Sequence, residues 1–196
     1  MLLLPNALTI LRILLVPVFA ITFVLHGDVA RIVSFGVFCI AGASDVLDGL
    51  AARKLRARSE LGRMLDPIAD KILVAVALMM LVARGVVTGP ALIPALVILA
   101  REILVSGLRE FLATAAVSVP VTRVAKMKTV LQMIAIGAMI LGPIVNKVVP
   151  GALSFAHVLL WVAAALTVYT GFVYLRAGLA HVRTDAAPQR RAREVA

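Results

Sequence analysis

A polar stretch between two apolar runs decides how this chain folds. Residues Ser44–Lys71 read SDVLDGLAARKLRARSELGRMLDPIADK, and long apolar runs precede and follow them. The stretch contains Asp45, Asp48, Asp66 and Asp70, four of only ten acidic residues in the chain. Because charged side chains are costly inside a bilayer, we expect the stretch to lie at a membrane surface, with the apolar runs crossing the bilayer on either side.

The composition of the whole chain favours a membrane protein. Hydrophobic residues make up 62% of the 196 residues, charged residues make up 15%, and the mean hydropathy is +1.06. A soluble domain is usually about half apolar and about a quarter charged. The net charge of +10 is divided among several loops, with no platform of alternating basic and aromatic residues, so nucleic-acid binding is not expected. The single cysteine, Cys39, excludes an intrachain disulfide.

The apolar runs predict an all-α integral membrane protein with six transmembrane helices and a short N-terminal amphipathic segment, LLLPN. A helix of roughly 20 apolar residues is long enough to cross a bilayer. With approximate boundaries, the predicted spans are Leu8–Leu25, Val29–Ala52, Pro67–Ala83, Pro90–Ala115, Val124–Ile144 and Leu153–Leu179. Residues 1–182 are predicted to form one membrane domain, and residues 183–196 a basic, disordered cytoplasmic tail.

The distribution of lysine and arginine predicts the orientation. Arg31, Arg84 and Lys147 follow the first, third and fifth predicted spans, and Arg12 and Arg101 lie inside spans. The remaining fifteen of the 20 basic residues lie on the other side. Since cytoplasmic loops carry the excess of positive charge, both termini and the aspartate stretch are predicted to face the cytoplasm of a multi-pass protein in the inner (cell) membrane, in contact with membrane lipids.

The spacing of the four aspartates predicts a metal site. Asp45 and Asp48 are three residues apart and Asp66 and Asp70 are four apart, so each pair shares one helix face. Two adjacent antiparallel helices would bring the pairs together, where their mutual repulsion requires cations. Oxygen ligands favour Mg²⁺, Mn²⁺ or Ca²⁺ over zinc, and two such ions are suited to phosphoryl transfer.

Simpler interpretations of the aspartates stay open. Asp66 precedes Pro67 and could be a helix N-cap, while Asp45 and Asp48 could pair with the basic residues that follow them. A cation transporter could also use four carboxylates as an ion path. Such sites usually lie near the bilayer midplane, however, and the clustering at one membrane surface favours a headgroup site.

The stretch resembles the signature of the CDP-alcohol phosphatidyltransferase family. The matching pattern is Asp45-x2-Asp48-Gly49-x2-Ala52-Arg53-x8-Gly62-x3-Asp66-x3-Asp70. The resemblance implies a six-helix membrane enzyme, a homodimer, in which the four aspartates bind two divalent cations, Mg²⁺ or Mn²⁺, and Asp70 is the general base. It also implies that Asp48, Gly49, Ala52 and Arg53 meet CDP-diacylglycerol and that Gly62 supports the turn between the two helices.

The N-terminal sequence adds a polar strip to the predicted lipid-nucleotide site. Asn6, Thr9 and Arg12 follow one another at one-turn intervals in PNALTILR. This entry is similar to the Pro-Asn-x2-Thr-x2-Arg start of family members, which implies that Asn6 and Thr9 contribute to CDP-diacylglycerol binding. Helix capping and headgroup anchoring are the alternative interpretations.

Two further segments predict an anionic acceptor. Cations in ILAREILVSGLREFLA and RVAKMKTVLQMIA would suit a phosphate group, although an internal ion pair with Glu102 or membrane anchoring would explain them too. The predicted acceptor residues are Arg101, Arg109, Lys126, Lys128 and Thr129. Both segments resemble the branch of the family that uses sn-glycerol 3-phosphate, which implies phosphatidyl transfer from CDP-diacylglycerol with release of CMP. Inositol phosphate, serine and phosphatidylglycerol stay open as acceptors.

Overall fold

The computed structural model describes the backbone of residues 3–55, 60–114 and 123–194. Side chains are described for residues 9–44, 65, 68–69, 71–114, 124–176 and 178. The regular elements of these ranges are the helices α1 Leu3–Val24, α2 Asp28–Leu55, α3 Glu60–Ala83, α4 Leu92–Thr114, α5 Arg123–Val145 and α6 Ala152–Glu194, with a short 3-10 helix at Gly89–Ala91. The predicted all-α class is confirmed.

Three helical segments in the described part of the chain are long and apolar enough to cross a membrane. They are Gly89–Thr114, Val124–Val145 and Ala152–Arg176, and shorter apolar stretches occur at Thr9–Val24 and Lys71–Ala83. The predicted count of six spans is therefore not confirmed. Large apolar side chains project outward along the bundle, among them Ile21, Met79, Leu96, Ile103 and Phe155. An outer surface of this kind suits lipid tails, because a soluble protein rarely exposes large apolar patches.

Several helix boundaries differ from the predicted ones. α1 begins at Leu3 and includes most of the predicted amphipathic segment, whose separate existence is not confirmed. α3 begins at Glu60, so Gly62 lies in the first turn of this helix, and its support of the preceding connection stays a prediction. A single glycine inside a helix costs only about 1 kcal/mol, which the neighbouring helix-forming residues offset. α6 ends at Glu194, well beyond Leu179, while the division of the chain near residue 183 stays a prediction.

The connections after α3 and α5 are closed by hydrogen bonds, and both lie at the end of the bundle opposite the aspartate stretch. α3 ends at Ala83. Gly85, in the turn that follows, has a φ of +66°, which favours glycine, and the Val86 amide closes the turn by donating to the Leu81 carbonyl at 2.9 Å. The Asn146 side chain accepts hydrogen bonds from the backbone amides of Gly151 and Leu153 at the start of α6. These side-chain bonds satisfy amide groups that a helix N-terminus would otherwise leave without partners.

The three cations on the sparsely charged loops meet at this same end of the bundle. Lys147 forms an ion pair with Asp28 at 2.7 Å, and Arg84 donates to the Val24 carbonyl at 3.3 Å. Arg31 donates to a carbonyl of α5 at 3.5 Å. Since α2 leads away from this end and α3 returns to it, the aspartate stretch lies at the opposite end of the bundle.

Close helix contacts at small residues hold α5 against α2. A Cβ atom added to Gly137 of α5 would lie 3.1 Å from the ring of Phe35 in α2, and one added to Gly42 would lie 2.6 Å from Met133. Nearby, Phe38 and Ile136 are almost fully buried. Within a membrane, helices associate through close packing of this kind more than through the hydrophobic effect. α5 also packs against α6, so it lies between α2 and α6.

Candidate active site

The backbone carries the four aspartates on two helices that contact each other. Asp45 and Asp48 lie toward the end of α2, and Asp66 and Asp70 lie in the first half of α3. Each pair is one helical turn apart, as predicted. The four side chains lie outside the described ones, so their distances and the metal site they would form stay predictions.

The predicted lipid-nucleotide residues are described only in part. Asn6 lies on α1, Gly49, Ala52 and Arg53 lie on α2, and Gly62 lies on α3, all outside the described side chains. Thr9 is described and is 1% exposed. One turn later, Arg12 is also 1% exposed, and its guanidinium donates from Nε to Ser44 Oγ at 3.3 Å. Because Ser44 immediately precedes Asp45, Arg12 ties α1 to the beginning of the aspartate stretch.

The contact between α2 and α5 determines where Lys128 of α5 lies along the bundle axis relative to the aspartates of α2. Gly42 meets Met133, and the second contact, at Phe35 and Gly137, shows that the two helices are antiparallel. Each residue advances a helix by about 1.5 Å along its axis. The position five residues after Gly42 on α2 therefore lies beside the position five residues before Met133 on α5. Lys128 therefore lies at the same height along the bundle axis as the turn from residue 45 to residue 48 of α2.

Three charged side chains form a buried cluster between α4 and α5, which we call the ion trio: Arg101, Glu102 and Lys128. Lys128 Nζ contacts Glu102 Oε1, and Arg101 Nη1 bonds the same oxygen at 3.3 Å. The side chains of Arg101, Glu102 and Lys128 are 12%, 14% and 5% exposed. Two cations and one carboxylate leave the trio with one net positive charge, which suits binding of an anion.

α6 contributes uncharged groups beside the ion trio. Arg101 Nη2 donates to Thr170 Oγ1 at 2.9 Å. The adjacent Gly171 lets the arginine lie close to α6, since an added Cβ would be 3.2 Å from Arg101 Cγ. Sequence reasoning missed both residues. A threonine followed by a glycine in an apolar span was the available signal, because small and hydroxyl residues mark helix contacts in membranes.

Three buried polar atoms near the ion trio have no hydrogen-bond partner among the described residues. They are Arg101 Nε, Gln132 Oε1 and Thr167 Oγ1. Gln132 lies one turn beyond Lys128 on α5, and Thr167 lies one turn before Thr170 on α6. A buried polar atom without a partner costs about 1–3 kcal/mol, so this region is suited to ordered water or to a polar ligand.

The predicted acceptor residues fall into two groups. Arg101 and Lys128 are brought together through Glu102, as described above. Arg109, Lys126 and Thr129 have exposed side chains. The guanidinium of Arg109 lies 6.0 Å from the ring centre of Tyr174, and the Thr129 hydroxyl donates to the Ala125 carbonyl of its own helix at 3.2 Å.

The chemistry of the aspartate stretch fits hard divalent cations. Among the described side chains, no group of three or more His, Cys, Asp or Glu residues could hold a metal ion. That search does not include the four aspartates. Aspartate offers only oxygen donors, the type of ligand that Mg²⁺, Mn²⁺ and Ca²⁺ prefer, and each of the two contacting helices carries two aspartates one turn apart.

Comparison with known families identifies the type of protein. Residues 2–169 match the family model described as CDP-alcohol phosphatidyltransferase. The chain belongs to the CDP-alcohol phosphatidyltransferase family. The family predicted from the aspartate signature is thereby confirmed, and the match includes α1 to α5 and the first part of α6.

Curated members of the CDP-alcohol phosphatidyltransferase family resemble the chain over most of its length. A protein of Rickettsia bellii is 46% identical over 174 residues, covering 89% of this chain and 94% of the relative. Proteins of Pseudomonas fluorescens and Cereibacter sphaeroides are 38% and 35% identical and each cover 92% of this chain, with 92% and 97% of their own lengths matched. All three are named CDP-diacylglycerol–glycerol-3-phosphate 3-phosphatidyltransferase.

Proposed function

We propose that this chain transfers the phosphatidyl group of CDP-diacylglycerol to sn-glycerol 3-phosphate, forming phosphatidylglycerol phosphate and CMP in phospholipid biosynthesis. The observation that carries the proposal is the similarity, over about nine-tenths of the chain, to relatives named for this reaction. The buried ion trio supports it, because a site with net positive charge suits an acceptor that carries a phosphate.

The reaction needs a base for the acceptor alcohol. The hydroxyl oxygen of glycerol 3-phosphate attacks the β-phosphorus of CDP-diacylglycerol, a new P–O bond forms, and the bond to the CMP oxygen breaks. Asp70, on the first half of α3, accepts the hydroxyl proton as general base. CMP leaves with the electron pair of the broken bond.

The aspartate stretch provides the electrostatic part of the reaction. Asp45, Asp48, Asp66 and Asp70 would hold two Mg²⁺ or Mn²⁺ ions, which neutralise the diphosphate and stabilise the charge on departing CMP. Asn6, Thr9, Gly49, Ala52, Arg53 and Gly62 border the cytidine and diphosphate of the lipid. Small residues on α2 leave space for the nucleotide, and Arg53 adds a positive charge beside it.

The acceptor binds on the side of the site formed by α4 and α5. Arg101 and Lys128 of the ion trio bind its phosphate, and Lys128 lies at the depth of the aspartate pair on α2. Arg109 and Lys126, whose side chains are exposed and positively charged, attract the acceptor, and Thr129 contributes its hydroxyl oxygen. The acyl chains of the donor stay in the bilayer while both headgroups reach the site.

The arrangement in the membrane follows from the charge distribution. We propose six spans in the inner membrane, with the aspartate stretch and both termini in the cytoplasm. The three cations that meet at the opposite end of the bundle, Arg31, Arg84 and Lys147, then face away from the cytoplasm. Assembly into a homodimer is implied by the family resemblance and stays a prediction, which the mass of the protein in detergent solution would check.

The experiment that tests the proposed function is an acceptor comparison with the purified protein. CMP release from CDP-diacylglycerol is measured with glycerol 3-phosphate, inositol phosphate, serine or phosphatidylglycerol, each with Mg²⁺ or Mn²⁺. We expect release that depends on glycerol 3-phosphate and is much slower with the others. Equal or greater release with another alcohol, and none with glycerol 3-phosphate, would assign the chain to a different acceptor.

A further inference from the structure

We propose that Glu102 is a positioning residue of the acceptor site, and that Thr170 assists it from α6. In this proposal, which rests on the proposed function, the Glu102 carboxylate holds Arg101 and Lys128 side by side to receive the phosphate of the acceptor. Glu102 itself does not touch the reacting atoms. The specific juxtaposition is that of two cations from different helices on one carboxylate oxygen.

The contacts of Glu102 bring two cations to one carboxylate oxygen. Its Oε1 atom bonds both Lys128 Nζ and Arg101 Nη1, so a single oxygen joins the two cationic groups. All three side chains are largely buried, which strengthens the repulsion between the two cations. The carboxylate offsets that repulsion, and the formal charges of the three side chains sum to one positive charge, which suits a phosphate.

Helix α6 holds Arg101 from a second direction. The Thr170 hydroxyl lies 3.0 Å from the Leu166 carbonyl, to which it donates, so its oxygen lone pairs are available to Arg101 Nη2 at 2.9 Å. Gly171 provides the space that this approach requires. Arg101 is therefore fixed on one side by Glu102 and on the other by Thr170. Its Nε–H group is buried and has no hydrogen-bond partner among the described residues, so the guanidinium retains a donor for a ligand.

A purely structural ion pair is the alternative that the experiment must distinguish. Such a pair would link α4 to α5 through their side chains, and breaking it would affect folding and both substrates alike. A positioning residue instead affects the Michaelis constant for the acceptor and leaves that for the lipid donor unchanged. The two roles therefore differ in which substrate responds.

The first test replaces Glu102 with glutamine, which keeps the size of the side chain and removes its charge. We expect Glu102→Gln to raise the KM for glycerol 3-phosphate about tenfold, as loss of a charge-assisted hydrogen bond implies, with the KM for CDP-diacylglycerol little changed. The matched control is Glu110→Gln, because Glu110 lies on the same helix with an exposed side chain. Both constants should keep their wild-type values in the control.

The second test exchanges the charges. Glu102→Lys combined with Lys128→Glu restores an ion pair between α4 and α5 but moves the carboxylate to the other helix. We expect the melting temperature in detergent to return toward the wild-type value while the KM for glycerol 3-phosphate stays raised. Recovery of the acceptor KM in the exchanged protein would show that the pair is only structural and would overturn the proposal.

Thr170 keeps the proposal testable if the charge variants do not fold. We expect Thr170→Val to raise the acceptor KM severalfold and Thr170→Ser, which keeps the hydroxyl, to preserve it. An unchanged acceptor KM in Glu102→Gln or, if that variant does not fold, in Thr170→Val would overturn the inference while leaving the proposed function intact. If the wild-type protein itself shows no release dependent on glycerol 3-phosphate, the proposed function is wrong and the inference is wrong with it.

Discussion

Arg12 illustrates how a single charge is accommodated inside this bundle. Its guanidinium is buried and donates to Ser44, whose hydroxyl donates in turn to the Ala41 carbonyl at 2.7 Å. A charged group inside a membrane protein is costly unless it is paired or lines a polar cavity. The position of Arg12, next to the residue that precedes Asp45, agrees with a polar site at this end of α1 and α2.

Asp70 is predicted to act as the general base. We expect Asp70→Asn to lower kcat by about 10²- to 10⁴-fold, the range typical of losing a general base, while binding of CDP-diacylglycerol is largely kept. CMP release and equilibrium binding of the lipid measure the two effects. Asp28→Asn is the control, because Asp28 lies at the opposite end of the bundle in an exposed ion pair. Preserved turnover in Asp70→Asn would remove Asp70 from the role of base.

Single residues also show what sequence reasoning could and could not predict. The aspartate pairs follow directly from one-turn spacing, and the structure bears out that each pair is on one helix. Lys126 and Lys128 were grouped as one basic cluster, yet residues two apart on a helix point in different directions. Lys128 is buried against Glu102 and Lys126 is exposed. The contribution of Thr170 depends on the pairing of α4 with α6, which no local pattern specifies.

The pairing of α2 with α5 is the element-scale feature on which the site depends. It brings the helix with the first aspartate pair beside the helix with Lys128, and it is made where glycines allow close approach. The sequence predicted that both helices exist but not that they touch, because contacts between distant segments depend on side-chain shape. The third span was predicted to begin at about Pro67, whereas α3 begins at Glu60, because proline is tolerated within the first turns of a helix that has already started.

Substitution of Gly137 tests this helix contact. A Cβ at this position would lie 3.1 Å from the ring of Phe35, which packs against the buried core, so we expect Gly137→Ala to destabilise the protein by about 1–3 kcal/mol. Thermal unfolding in detergent measures the loss. Combining it with Phe35→Leu should recover part of the stability.

The control for this test is a glycine in the partner helix. A Cβ at Gly36 would meet nothing within 4 Å, so Gly36→Ala should leave stability unchanged or raise it slightly, since alanine favours helix. Equal destabilisation by both substitutions would count against the close contact of α5 with Phe35. No change in Gly137→Ala would do the same.

The whole molecule is a helical bundle whose two ends differ in charge. One end contains short connections between helices and three cations. The other end contains the aspartate stretch and most of the basic residues. The overall class and the helix order were predictable because long apolar runs leave few alternatives in a bilayer. The count of six spans stays a prediction. α2 and α3 mix apolar and charged residues, and only Gly89–Thr114, Val124–Val145 and Ala152–Arg176 among the described residues meet the length and hydropathy of a span.

The orientation of the bundle is tested by cysteine labelling. In a Cys39→Ser background, Val148→Cys places a thiol in the connection between α5 and α6, where Val148 is 82% exposed, and Gln189→Cys places one near the C-terminus. We expect a membrane-impermeant maleimide to label Val148→Cys in intact cells and Gln189→Cys only after permeabilisation. The reverse pattern would contradict the proposed topology. Labelling of both in detergent is the control for reactivity.

The most direct measurement follows the acceptor into the lipid product. The purified protein is incubated with CDP-diacylglycerol, Mg²⁺ and isotopically labelled sn-glycerol 3-phosphate, and the organic extract is analysed for label and mass. We expect labelled phosphatidylglycerol phosphate and one CMP for each labelled lipid formed. CMP formation with all label left in the aqueous phase, or a lipid product that contains a different alcohol, would contradict the proposed reaction.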